Sequence, residues 1–213
     1  MADVKALLEV GRTMAHLPGP WWVAGGWAID CFLGHITREH HDVDMLVLRR
    51  DQSLLHSTLQ EFPLRKVIPH PEGQMNRSTM ARWSVGERLE LPVHQINVYR
   101  PADEHLAHED AAAADPEHRW WFQIMLGETD GDDWIYRRNP AIRRPLRQIG
   151  FHSPEGLPYL APEIVLLFKS KHMLAHDRAD FDSAAPVMDS EPRRWLREAL
   201  LRTAPEHEWL RGL

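Results

Sequence analysis

Apolar and polar positions along this chain fall into helical, alternating and again helical stretches. Val4, Leu7, Leu8, Gly11 and Met14 sit at i, i+3, i+4, i+7 and i+10, one face of an opening helix that Pro18-Gly19-Pro20 stops. Trp21-Trp22-Val23-Ala24 predicts a short buried strand, Gly25-Gly26 a turn, and Trp27 to Leu33 a helix. Val43, Met45 and Val47 alternate with Asp42, Asp44 and Leu46, which predicts a strand with both carboxylates on one face. Asp51 is expected to cap a helix carrying Leu54, Leu55 and Leu59.

Strand signals dominate from Leu64 to Gly150: Leu64 to Ile68, Val93 to Tyr99, Trp120 to Leu126, and Trp134 to Tyr136, with Asp130-Gly131-Asp132 as a hairpin turn. Ala102 to Pro116 has no aromatic or β-branched residue and is expected to be a helix or a surface excursion. After Pro158 the pattern turns helical. Pro162 suits a first helical position before Glu163, Ile164, Leu167, Phe168 and Lys171, and a second helix runs roughly from Glu191 to Thr203. The expectation is an α+β fold with a mixed, mostly antiparallel sheet flanked by helices, divided into a domain over residues 1–157 and a helical region over 158–213.

Composition narrows the function classes. The 213 residues are 43% hydrophobic and 26% charged, ordinary values for a globular chain. A formal net charge of −6 lacks the basic excess of a protein that neutralises many backbone phosphates, so no duplex nucleic acid is expected as a partner. Cys31 is the one cysteine, which rules out an intramolecular disulfide and a structural thiolate zinc site. With no stretch of about 18 apolar residues, no membrane partner is expected, and the expected location is cytoplasmic.

The chemistry lies in one short segment. Carboxylates at i and i+2 on a strand, Asp42 and Asp44, repel when both are ionised unless a divalent cation sits with them. Mg2+ prefers few carboxylates, several waters and the oxygens of a bound nucleoside triphosphate, so this minimal pair suits phosphoryl or nucleotidyl transfer. Glycines at a strand-to-helix turn let backbone N–H groups approach phosphate oxygens, which makes Gly25 and Gly26 the candidate cradle. Either element alone is weak, since a plain turn and a solvated acidic face are both common.

These residues stand in a longer pattern, Ala24-Gly25-Gly26-Trp27-Ala28-Ile29-Asp30 followed by Leu33-Gly34-His35-Ile36-Thr37-Arg38-Glu39-His40-His41-Asp42-Val43-Asp44. It resembles the aminoglycoside 2''-adenylyltransferase-like nucleotidyltransferases, and the lincosamide nucleotidyltransferases are similar over the same stretch. Asp130 to Arg138 and Tyr159 to Lys171 also resemble that family. The resemblance implies a DNA polymerase β-like nucleotidyltransferase fold. It also implies transfer of a nucleoside monophosphate, foremost AMP from ATP, to a hydroxyl of a small acceptor with release of pyrophosphate. Carried over by position, Gly25 and Gly26 hold the triphosphate and Asp42 and Asp44 hold Mg2+. Arg38 offers a fork of donors to a phosphate oxygen or else pairs with Glu39 or Asp42, and Thr37 orients it or caps the local turn. Lys169 and Lys171 are the helix lysines expected at the triphosphate or pyrophosphate, and Asp177 and Asp180 form the Asp-x-x-Asp that follows them.

One place departs from the pattern. Enzymes of this fold commonly carry a third carboxylate on a later strand, as metal ligand or general base, whereas the strand Trp120 to Leu126 presents Gln123, which cannot take a proton. Glu128 is the preferred substitute, with Glu90 second. Two other readings compete. A non-catalytic nucleotide binder would explain Gln123, and His35, His40, His41 and Asp42 together suggest a His-Asp metal phosphohydrolase, which the strand pattern of Val43, Met45 and Val47 opposes.

Overall fold

The computed structural model describes residues 3–72, 77–106 and 120–213. Most of the predicted excursion Ala102 to Pro116 lies outside the described residues; its first part is a 3-10 turn over Pro101–Leu106. The chain forms two compact units, Met1–Trp21 with His41–Thr129, and Trp22–His40 with Asp130–Leu213. The boundary expected after residue 157 falls inside the second unit.

The first unit opens with α1 (Val4–Met14), whose N-cap Asp3 accepts a hydrogen bond from the Ala6 N–H at 2.8 Å. Its buried face is Leu7, Val10, Gly11 and Met14: Leu7, Gly11 and Met14 are on the predicted stripe, Val4 is exposed and Leu8 half-buried, and Val10 is fully buried. The sheet of this unit contains β2 (Asp44–Leu48), β3 (Leu64–Ile68), β4 (Thr79–Arg82), β5 (Gln95–Val98) and β6 (Phe122–Asp130), in the order β4-β3-β5-β6-β2. Pairing is antiparallel except between β6 and β2, which run parallel with Asp44 opposite Gln123. Met45 to Leu48 and Gln95 to Val98 are buried throughout, as expected of strands covered on both faces. Asp51 does not cap the next helix. It belongs to a 3-10 turn, Arg49–Asp51, and α3 (Leu54–Thr58) starts after Ser53 without a side-chain cap.

In the second unit, β1 (Trp21–Val23) runs parallel to β10 (Pro158–Leu160), with Val23 opposite Tyr159, and β10 is antiparallel to β9 (Gly150–His152). A separate hairpin joins β7 (Asp133–Ile135) to β8 (Arg143–Pro145). Four helices pack here: α2 (Gly25–Leu33), α4 (Pro162–Lys169), α5 (Ala175–Ala184) and α6 (Ser190–Thr203), with α4 against α2, α5 and α6. Pro162 opens α4 and every residue from Pro162 to Leu167 is buried, which makes α4 the central helix. The two glycines predicted as a turn instead form the first two residues of α2, with Gly25 at φ +60°. No helix among the described residues is long and apolar enough to cross a membrane.

Candidate active site

In the second unit the residues after α2 are organised by Asp30. Its carboxylate is buried, and one oxygen accepts from the Thr37 N–H at 3.1 Å and the Thr37 hydroxyl at 2.6 Å. The other accepts from His40 Nε2–H at 2.6 Å, and the His40 ring packs on Trp27 with centroids 4.2 Å apart. Thr37 and His40 therefore fasten the segment that leads to Asp42 back onto α2. Asp30 stands inside the family-like pattern with no role that its spacing reveals; a carboxylate on an otherwise apolar helix is the available signal. Gly26 lies directly under this segment, because a Cβ there would overlap Arg38 Nη2 and approach the His40 ring to 2.7 Å.

Arg38 donates from Nε and Nη2 to the two oxygens of Asp180, at 2.8 and 3.1 Å, and from Nη1 to the Glu39 carbonyl at 3.0 Å. A carboxylate partner of Arg38 thus comes from α5, far along the chain. Lys169 Nζ lies between Asp177 Oδ1 and Asp180 Oδ2, at 2.8 and 2.9 Å. Burial alone would raise the Asp180 carboxyl, but Arg38 and Lys169 outweigh it and hold it below its ordinary value. Burial likewise opposes charge on Lys169, and the two aspartates overcome it and hold the ammonium above its ordinary value. Asp177 also caps α5, accepting from the Leu174 N–H at 3.1 Å. Lys171 lies beyond the end of α4 and is exposed.

In the first unit, Asp42 is exposed just before β2 and Asp44 is half-buried as its first residue. The register continues from Asp44 to Gln123 on β6 and from Gln123 to Asn97 on β5, so two amides follow the carboxylate across one face of the sheet. Gln95 joins them, its Nε2 donating to Gln123 Oε1 at 3.1 Å and to Asn97 Oδ1 at 3.0 Å. Three buried side-chain amides therefore occupy the strands beside Asp44. Glu128 does not join this row. It lies five residues beyond Gln123 along β6, roughly 16 Å at the rise of an extended strand, and binds the buried Arg49 Nε at 2.7 Å. Glu90 is exposed and pairs with Arg88.

Asp42 and Asp44 provide hard oxygen donors, and among the described residues no group of three or more His, Cys, Asp or Glu side chains gathers to form a fuller cage. Two carboxylates with room for water and phosphate oxygens suit Mg2+ and are a poor set for zinc. The histidine cluster of the phosphohydrolase reading is dispersed: His40 is buried against Asp30, and exposed His35 donates to the Leu33 carbonyl at 3.1 Å.

Residues 6–78 match the family model of aminoglycoside-2''-adenylyltransferase. Over that stretch the chain is similar to this family. A 2''-aminoglycoside nucleotidyltransferase of Escherichia coli is 58% identical over 26 residues, 12% of this chain, and one of Klebsiella pneumoniae matches equally. The matched stretch spans 15% of the length of these relatives. Two solved structures share the fold. The lincosamide antibiotic adenylyltransferase LnuA, bound to lincomycin, is 16% identical with a TM-score of 0.53, covering 88% of this chain and 99% of its own. ANT(2'')-Ia in complex with adenylyl-2''-tobramycin is 13% identical with a TM-score of 0.54, covering 95% and 100%. The α+β nucleotidyltransferase fold expected from the sequence is the fold observed.

Proposed function

We propose that this protein is a Mg2+-dependent nucleotidyltransferase. It moves AMP from ATP to a hydroxyl of a small polyhydroxylated acceptor of the aminoglycoside or lincosamide kind and releases pyrophosphate. The observation that carries this reading is the Asp42-Val43-Asp44 segment at the head of a buried strand, in a fold shared with two antibiotic adenylyltransferases. Asp42 and Asp44 would hold Mg2+, which neutralises charge on the triphosphate and on the departing pyrophosphate. Gly25 and Gly26 offer backbone N–H groups at the start of α2, and Thr37 and Arg38 are held in place by Asp30 and Asp180. In the reaction a P–O bond forms to the acceptor oxygen as the α–β P–O bond breaks. Gln123 and Asn97 accept no proton and Glu128 is committed to Arg49, so the hydroxyl proton leaves to solvent and turnover rises with pH.

The test is incubation with Mg2+, ATP and a panel including tobramycin and lincomycin, repeated with GTP, CTP and UTP, reading adenylylated product by mass spectrometry together with pyrophosphate release. Product that disappears in Asp44→Asn supports the assignment. The amide row Gln95-Asn97-Gln123 favours one alternative, a nucleotide-binding protein without transfer activity. ATP binding with no pyrophosphate release against any acceptor would establish that alternative.

A further inference from the structure

A cavity of about 310 Å³ opens at the β4 edge of the first unit's sheet, lined by residues of α3, β3 and β4 and the loops that join them. Its aromatic walls are fixed. Trp83 donates from Nε1 to the Glu87 carbonyl at 2.9 Å, and its ring packs on that of His56 with centroids 4.0 Å apart. Phe62 is held against Trp121 at 4.9 Å. Buried Leu59 and Leu64 complete an apolar lining.

Polar groups converge on the same space. Arg65 and Arg82 stand opposite each other on the antiparallel pair β3–β4, so their side chains leave one face of the sheet, and both line the cavity. Among the described residues neither forms an ion pair. Arg65 Nε and His56 Nε2 are buried atoms with no hydrogen-bond partner, a state that costs stability until a ligand meets it. Burial holds His56 below its ordinary value against the pull of the Ser84 backbone and Glu87, so its ring adds no charge at neutral pH. Glu104, exposed, is the one carboxylate among the described lining residues. Two guanidinium groups against one carboxylate leave a single positive charge to be met, and the planar fork of arginine matches a carboxylate.

We propose that this cavity is a binding site for a small aryl carboxylate, whose anionic end is taken by Arg65 and Arg82 and whose ring lies against Trp83 and Phe62. A volume near the lower end of the roughly 300–1,000 Å³ usual for small-molecule pockets suits one ring system. Arg82 lies four strands from Asp44 in the order β4-β3-β5-β6-β2, roughly 19 Å at the usual strand spacing, so the site is separate from the carboxylate pair. It does not rest on the nucleotidyltransferase reading.

Titration calorimetry and ligand-observed NMR of the full chain with phenylacetate and indole-3-acetate test the site, beside the neutral phenylacetamide and the cationic 2-phenylethylamine. The acids bind about tenfold or more tightly than the amide, and the amine does not bind. Arg65→Ala weakens the acids about tenfold and Arg65→Lys recovers part of the loss, while Arg88→Ala, in an exposed pair with Glu90 outside the cavity, leaves them unchanged. Circular dichroism melting verifies that the variants fold. A wild-type chain that binds neither acid overturns the proposal, as does equal affinity for phenylacetate and phenylacetamide. So does wild-type affinity in a folded Arg65→Ala/Arg82→Ala double variant.

Discussion

Gly26→Ala tests whether the glycine is there to make room. On helix propensity alone, alanine inside α2 gains up to about 1 kcal/mol. The new Cβ, however, would overlap Arg38 Nη2 and lie 2.7 Å from the His40 Cε1 and Nδ1 atoms. Neither neighbour yields freely: Arg38 is held by both oxygens of Asp180, and His40 is fixed between Asp30 at 2.6 Å and the Trp27 ring. Displacing the arginine fork forfeits a charge-assisted pair worth roughly 1.5–3 kcal/mol, and overpacking against His40 costs about 1–3 kcal/mol more. Net of the helix gain, the loss is about 1.5–5 kcal/mol. For a chain of this length that corresponds to a fall in Tm of about 3–20 °C. Calorimetric melting of the wild type, Gly26→Ala, Arg38→Ala and the double variant completes a cycle, in which removing Arg38 should recover roughly half of the glycine penalty. A Gly26→Ala protein that melts within a degree of the wild type, or a penalty undiminished in the Arg38→Ala background, would refute the close-packing account.

Asp44→Asn should lower kcat by two or more orders of magnitude with little change in Tm, measured by pyrophosphate release beside a thermal melt. Glu128→Gln should do the reverse, costing about 2 kcal/mol in denaturant unfolding because buried Arg49 loses its charged partner, while the pH–rate profile stays as in the wild type. The Asp180 carboxyl is held below its ordinary value in the folded state, so its stabilisation is complete above the unfolded value and disappears as pH falls through the folded one. Asp180→Asn should therefore be less stable at neutral pH and show a shallower loss of Tm on acidification below pH 4. Gln123→Glu puts a second carboxylate beside Asp44; its Tm should fall in chelator and recover with Mg2+, whereas equal melting in both media would place the metal elsewhere.

Features set by local chemistry were legible in the linear sequence. The spacing of Val43, Met45 and Val47 marked β2, Pro162 and the apolar run after it marked α4, and Asp42-Val43-Asp44 carried its own implication because the backbone alternation fixes which side chains share a face. Thr79–Arg82, Arg143–Pro145 and Gly150–His152 were not legible as strands, since few of their residues favour extended structure and pairing with neighbours makes them strands. The same holds for the charges. Arg38 pairs with Asp180 and Glu128 with Arg49, 142 and 79 residues away, and no spacing rule spans such distances. The sequence by itself determined the carboxylate pair, the glycines and the α+β class. Only the tertiary structure decided that Gln123 lies between Asp44 and the amides of Gln95 and Asn97, and that Lys169 is already neutralised. Both depend on strand register and helix packing, which bring together residues remote in the chain.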